Sequence, residues 1–205
     1  MGAHRARIAL APRALVTSLA MSNSMTAARL VTALAVVASA VVACGGSASE
    51  GGGPATAGST AGKHELLNNP APDFAADSVN GKGKVVLSQW KGKVVLVDFW
   101  ATWCQPCQKS FPKLEELRVK YAASGFEIAA ISEDDEQNGV KEFGASYGAK
   151  FPLLWDKDKS LANKWHPPNM PSSFILDKKG VVRFVHLGYH DGEEKEIEAE
   201  LKSLL

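Results

Sequence analysis

Cysteine is scarce in this chain, with three among 205 residues. One of them, Cys44, precedes the part of the sequence that can fold, so Cys104 and Cys107 stand alone in the folded part. Two thiols fall short of a structural zinc site, which takes four protein ligands. His186 and His190 have an acceptable spacing for a metal, but 78 residues lie between Cys107 and His186, and both histidines fall on a strand and its turn. An excess of charge is missing too. The four basic residues before Cys44 (Arg5, Arg7, Arg13, Arg29) have no acidic companions, and from Cys44 onward 19 basic residues face 22 acidic ones. That slight negative balance argues against a nucleic-acid partner, which wants a basic face. The apolar run Leu30 to Val42 is too short to span a bilayer comfortably. There is no internal repeat.

What the amino-terminal part does have is the order of a secretion signal. Arg29 stands just before the Leu30–Val42 run, which suits the apolar region of a signal peptide. The run ends in Val41-Val42-Ala43-Cys44, which resembles a bacterial lipobox. That resemblance implies cleavage before Cys44 and lipidation of its sulfur, where the plainer reading is an ordinary small apolar residue. The signal is expected to occupy 1–43. Met25 makes a tidier start than Met1, so 1–24 read as an over-long gene start. Residues 44–62 then comprise the lipidated Cys44 and a linker rich in Gly, Ser, Ala and Thr, which cannot bury a core. Such a linker reaches roughly 20–25 Å root-mean-square, enough to hold a domain near a membrane while letting it turn.

Residues 63–205 carry the pattern of a folded domain of alternating strands and helices. Val85-Val86-Leu87 and Val94-Val95-Leu96-Val97 read as strands joined by a turn containing Gly92. Lys109 to Tyr121 is amphipathic, with Phe111, Leu114, Leu117 and Tyr121 on its apolar face and Pro112 expected to kink it. Phe126 to Ile131 is a buried strand, and Val140, Phe143 and Tyr147 line a short helix. Leu153-Leu154 and a helical turn ending near Trp165 come next. Phe174-Ile175-Leu176 and Val181 to Leu187 flank a turn at Asp177–Gly180, forming a hairpin. A last helix is expected from Asp191, with Glu194 completing a capping box and Ile197, Leu201 and Leu204 facing inward. The whole reads as an α/β sandwich.

At the junction of the core strand and the first long helix stands Asp98-Phe99-Trp100-Ala101-Thr102-Trp103-Cys104-Gln105-Pro106-Cys107. Free backbone N–H groups and the positive end of the helix dipole favour a thiolate there. Two cysteines three apart can also close a disulfide within one turn, so the pair reads as a dithiol that cycles. Two buried structural thiols or half a zinc site are the plainer alternatives, and Pro106 fits a helix start better than a zinc knuckle. Cys104, at the tip, is expected to attack, and Cys107, one turn in, to resolve the mixed disulfide. Asp98 sits in an apolar strand, where burial raises a carboxyl pKa and keeps the group protonated near neutrality. The alternative is an aspartate that reaches water at the strand end. Trp100 and Trp103 are expected around the dithiol, and Trp90, Trp155 and Trp165 in the core or at its rim. The acidic run Glu133 to Glu136 reads as a solvated loop, or as one that borders the site and repels acidic partners.

From Ala71-Pro72-Asp73-Phe74 to the carboxyl terminus the chain resembles the TlpA/ResA family of extracytoplasmic thioredoxin-fold thiol:disulfide oxidoreductases. The resemblance rests on the Trp-Cys-x-Pro-Cys motif, Trp90-Lys91-Gly92-Lys93 before the core strand, and Met170-Pro171-Ser172-Ser173-Phe174. It implies a thioredoxin-like fold, with a central mixed β-sheet flanked by helices and an N-terminal β-hairpin extension. It implies a redox disulfide between Cys104 and Cys107, surrounded by Trp103, Gln105, Pro106 and Met170. Pro171 matches the cis-proline that faces the dithiol and pairs with an extended substrate peptide. Asp98 resembles the buried acid of thioredoxins, which relays a proton to or from the second cysteine. Many TlpA/ResA relatives instead carry an acid three residues after that cysteine, where this chain has Ser110. The expected function is reduction of protein disulfides, of the cytochrome c or copper-site maturation type. A membrane electron donor would resupply the dithiol, with no cofactor and no bound metal. The protein is expected to be a monomer, extracytoplasmic and lipid-anchored through Cys44 to a bacterial membrane, on the periplasmic side in a Gram-negative cell. Two rival readings remain. A Cu(I)-binding module would use Cys104, Cys107, Met170 and His166. A thiol peroxidase shares the Ala71–Phe74 opening, but its pattern wants Thr or Ser where this chain has Ala101.

Overall fold

A computed structural model of the chain describes residues 63–205. The signal sequence, Cys44 and the linker through residue 62 lie outside the described residues. Within 63–205 the order is β1 (Ala75–Asp77), β2 (Lys84–Val86), β3 (Val94–Trp100), α1 (Gln105–Tyr121), β4 (Phe126–Ser132), α2 (Val140–Ser146), β5 (Leu153–Trp155), α3 (Ala162–Trp165), β6 (Ser172–Leu176), β7 (Val182–Leu187) and α4 (Glu193–Leu204). Five strands form a mixed sheet in the order β5-β4-β3-β6-β7. The three strands β3, β4 and β5 run parallel, while β6 lies antiparallel to β3 and β7 antiparallel to β6. This is the thioredoxin-like arrangement.

β3 is central and buried at all seven positions, which is why it reads as a continuous apolar run rather than an alternation. Its side chains nonetheless divide between two cores. Val94, Leu96 and Trp100 face a cluster containing Phe111, Leu114 and Leu117 of α1, Phe143 of α2, and Ile197 and Leu201 of α4. Val95, Val97 and Phe99 face the opposite cluster, with Phe74, Leu161, Trp165 and Phe174. Asp98 therefore belongs to the first face, the one that also holds Cys104 and Cys107.

Several boundaries differ from the sequence reading. α1 begins at Gln105, four residues before the amphipathic stretch, and continues through Pro112. The amino-terminal hairpin pairs β2 with Ala75–Asp77, a segment without a β-branched residue that is a strand only by virtue of its partner. Leu87 leaves the strand for a 3-10 turn, Leu87–Trp90, which carries the chain to Gly92 and β3. The capping box at Asp191 does not form. α4 starts at Glu193, its cap is Gly192 with φ 98°, and among the described residues no side chain caps it. Asp191 instead reaches out to Lys109 Nζ at 3.4 Å. Glu193 is drawn inward toward His186, and the left-handed Gly192 allows that turn.

Candidate active site

The site is built where β3 ends. The backbone N–H of Glu133 donates to the Trp100 carbonyl at 2.7 Å, so the ends of β3 and β4 are tied. Asp134 then takes hold of the following loop. Its carboxylate accepts from the Thr102 backbone N–H at 3.0 Å, from Thr102 Oγ1 at 2.7 Å and from Ser132 Oγ at 2.7 Å. Beyond the loop, Cys104 is the N-cap of α1, and its Sγ accepts from the Cys107 N–H at 3.2 Å. Pro106 sits in the first turn, where its missing N–H leaves nothing unpaired.

Cys104 and Cys107 are joined in a disulfide with Cα atoms 5.3 Å apart. Their exposures differ less than the sequence suggested: Cys104 is 4% exposed and Cys107 fully buried. Trp103 does not pack around the dithiol; it is 69% exposed and projects from the loop. Trp100 is buried instead, stacked edge-on against Phe111 at 4.6 Å and tilted on Phe143 at 4.7 Å. Gln105 and Pro106 are exposed, and Ser110 is buried with its hydroxyl donating back to the Cys107 carbonyl at 3.2 Å. The Met170–Pro171 peptide bond is cis, Pro171 is buried, and Met170 packs against the cluster that holds both cysteines.

Asp98 does not reach water at the strand end. It is wholly buried, its Oδ1 accepting from Ser173 Oγ at 2.6 Å and its Oδ2 without a donor among the described residues. Burial pushes this carboxyl up to about 7, against the lowering effect of Ser173 and with help from the Glu193 carboxylate. The acidic run splits in two. Asp135 and Glu136 are exposed, whereas Glu133 and Asp134 are buried. Burial, and then the neighbouring Asp156 carboxylate, push Glu133 up to about 8. Lys159 answers this pair by donating to the Glu133 and Asp134 carbonyls at 2.6 and 3.0 Å. Asp134 was missed in the sequence because a four-residue acidic run looks like a solvated loop. A signal was present in Ser132, a small polar residue closing a buried strand and able to partner the acid two residues on.

The remaining histidines take other partners. His166 is exposed and paired with Glu65, and its carbonyl accepts from His64 Nε2 at 3.1 Å. His186 is buried between Glu193 and Glu200. Among the described residues no group of three or more His, Cys, Asp or Glu is placed to hold a metal ion.

Comparison with known proteins gives this geometry a family. The AhpC/TSA family matches residues 67–185. The thiol-disulfide oxidoreductase ResA of Bacillus thuringiensis (strain Al Hakam) is 38% identical over 130 residues, which cover 63% of this chain and 75% of that protein. ResA of Bacillus subtilis (strain 168) is 34% identical over 123 residues, covering 60% and 68%. Among solved structures, a protein assigned as the thiol:disulfide interchange protein DsbE from Chlorobium tepidum superposes with a TM-score of 0.64 at 33% identity, over 67% of this chain and 96% of that one. With a redox-capable Cys104–Cys107 disulfide at the head of α1 in a thioredoxin-like sheet, the chain belongs to the AhpC/TSA family and is a thioredoxin-fold thiol-disulfide oxidoreductase.

Proposed function

We propose that the protein reduces disulfides in other proteins outside the cytoplasm, tethered to a membrane through lipidated Cys44 and resupplied with electrons by a membrane donor. Substrates of the cytochrome c or copper-site maturation type suit this reading, because their cysteines must be reduced before cofactor insertion. Cys104 as thiolate attacks one sulfur of the substrate disulfide, forming a mixed disulfide and releasing the other sulfur as a thiolate. Cys107 gives its proton to Asp98 and attacks Cys104 Sγ. That step closes the Cys104–Cys107 bond and expels the second substrate sulfur, so two electrons pass from dithiol to substrate. Exposed Trp103 and the backbone at Met170–Pro171 are the surfaces against which an extended substrate would lie.

The observation that carries this reading is the Cys104–Cys107 disulfide at the head of α1; beside it on the same face of the sheet stands the buried Asp98 carboxyl, which burial pushes up to about 7. A group with that midpoint can both take and return a proton at working pH. The test is trapping. Cys107→Ser should accumulate mixed disulfides with extracytoplasmic proteins, and Cys104→Ser should accumulate none. Trapping by Cys104→Ser alone would reverse the assignment of the two thiols, and failure of both would remove the protein-disulfide reading. For the anchor, Cys44→Ala should leave the mature protein in the aqueous phase of a detergent partition. Aqueous partition of the wild-type protein would refute the tether.

A further inference from the structure

Three polar side chains stand side by side across the sheet. Asp98 on β3 is in register with Ser173 on β6, and Ser173 with His186 on β7. With strands about 4.8 Å apart, this row spans about 10 Å. The start of α4 closes its far end. His186 Nδ1 lies 3.3 Å from Glu193 Oε1, and Nε2 lies 2.7 Å from Glu200 Oε2. His186 is wholly buried and Glu193 is 3% exposed. Asp98 Oδ2 and Glu193 Oε1 are both buried and, among the described residues, meet no donor in hydrogen-bonding alignment, the 3.3 Å approach of His186 to Glu193 being a charge contact. Ionisable groups are costly to enclose unless charge balances charge. The dithiol reaction as written above uses Asp98 and leaves the other members of this cluster without a task.

We infer that Glu193 is a positioning residue for the proton of the dithiol reaction: placed against His186 at the end of the Asp98–Ser173–His186 row, its carboxyl group acts through the buried interior on Asp98 and favours the protonated form of that carboxyl in the oxidised enzyme. The inference rests on the reading of Asp98 as the proton carrier. One imidazolium between two carboxylates leaves one negative charge in excess inside the fold, which disfavours ionising a third carboxyl nearby. Glu193 adds to burial in disfavouring the ionised form of Asp98. Burial pulls the His186 ring toward neutrality, but Glu193 and Glu200 outweigh that and lift it to about 9, so it is an imidazolium at working pH.

Other groups face the cluster from its rim. His190 lies 3.8 Å from Glu193 Oε1 and 3.4 Å from Glu196 Oε1, and Tyr189 donates to Glu194 at 3.4 Å. From β6, Asp98 meets the Ser173 hydroxyl; Cys107 lies in the apolar cluster of the same face. The chemical consequence concerns the return half of the cycle. When a donor dithiol reduces the Cys104–Cys107 bond, two electrons enter and Cys107 leaves as a thiolate. A protonated Asp98 supplies its proton at that moment, and the resulting carboxylate is the base that the next resolution step needs.

The experiment follows the Asp98 carboxyl by carbon-13 NMR in the full-length oxidised protein, in which neither thiol titrates alongside it. Glu193→Gln should lower the Asp98 midpoint by about one pH unit, and reduction of the disulfide near neutral pH should slow with it. Glu193→Asp, which keeps the charge, should hold the midpoint near that of the wild type. Glu200→Gln removes an equal charge from the far side of His186 and should move the midpoint much less. An unmoved midpoint in Glu193→Gln, or an equal shift in Glu200→Gln, overturns the inference. The wild type carries the test a second way should the variants fail to fold. Glu193 must still be ionised at the pH where Asp98 gains its proton, and protonation of Glu193 first overturns the assignment. Asp98→Asn separates the two readings. If it leaves the resolution step unchanged while Glu193→Gln still shifts the Asp98 midpoint, the relay reading fails and the role of Glu193 toward Asp98 stands. If it slows resolution while Glu193→Gln shifts nothing, the role of Glu193 fails alone.

Discussion

Asp98 is where chemistry and stability pull against each other. Its carboxyl moves from the ordinary range near 4 in the unfolded chain to about 7 in the fold, chiefly through burial. A folded state that holds a proton more tightly than the unfolded state loses stability as pH rises between those two values. The Asp98 contribution is therefore most favourable below about pH 4 and is lost as pH climbs to about 7. At about 1.4 kcal/mol per pH unit, the full loss is on the order of 4 kcal/mol. Asp98→Asn removes this dependence and keeps an acceptor for Ser173 Oγ, but leaves a buried amide N–H₂ without a partner, at about 1–3 kcal/mol. The variant should thus equal or fall below the wild type at pH 4 and exceed it at pH 8. Urea unfolding of both proteins at the two pH values checks this, and a constant difference across them would mean that Asp98 is ionised in the fold. This residue was legible in the sequence because a lone acid in a Val/Leu strand has few comfortable fates. Glu193 was not. Its burial depends on the left-handed turn at Gly192, which swings Glu193 back onto His186 at the end of β7, where a capping box at Asp191 was the expected local pattern.

At the scale of elements, strand and helix arrangement was readable wherever apolar periodicity was long, as in β3, β4 and the apolar face of α1. It failed where a neighbour decides. β1 exists because β2 pairs with it, and α4 starts late because Glu193 turns inward. The loop from β3 to α1 shows the same dependence with functional weight. Thr102 and the neighbouring turn carry Cys104, yet what holds them is Asp134, at the end of the adjacent strand. Asp134→Ala leaves the Thr102 N–H and hydroxyl and the Ser132 hydroxyl without their acceptor. Loss of that acceptor should cost about 1–3 kcal/mol. It should also raise hydrogen exchange at the Thr102 amide while amides in the middle of β3 stay protected. Attack by Cys104 should slow, since a nucleophile on an unpinned loop samples its productive geometry less often. Unchanged protection at Thr102 would show that the loop is held by the packing of Trp100 alone.

At the scale of the whole molecule, the amino-terminal extension solves a problem created by the sheet itself. A five-stranded open sheet has two edges, and each is a row of unpaired backbone groups that can pair across molecules. The extension covers each edge in turn. On the β7 side, the Asn68 N–H donates to the Val182 carbonyl at 2.8 Å and the Val182 N–H to the Asn69 carbonyl at 3.0 Å. On the β5 side, the Val79 N–H donates to the Leu153 carbonyl at 2.8 Å. There the Asn80 side chain stands in for a strand backbone. Its Nδ2 donates to the Phe151 carbonyl at 2.8 Å and its Oδ1 accepts from the Leu153 N–H at 3.2 Å. Asn80→Ala removes both contacts while leaving the Val79 bond and the apolar packing of the hairpin in place. The freed groups flank β5, three residues long and the shortest strand of the sheet. The variant should lose about 1–2 kcal/mol, the Leu153 amide should exchange faster, and the protein should self-associate as its concentration rises. Dithiol chemistry should be unaffected in dilute solution, since the β5 edge is separated from Cys104 by β4 and β3. Hydrogen exchange at Leu153 and size-exclusion chromatography over a concentration series decide the matter. A monomer with an unchanged Leu153 amide would mean that the Val79 contact alone closes this edge.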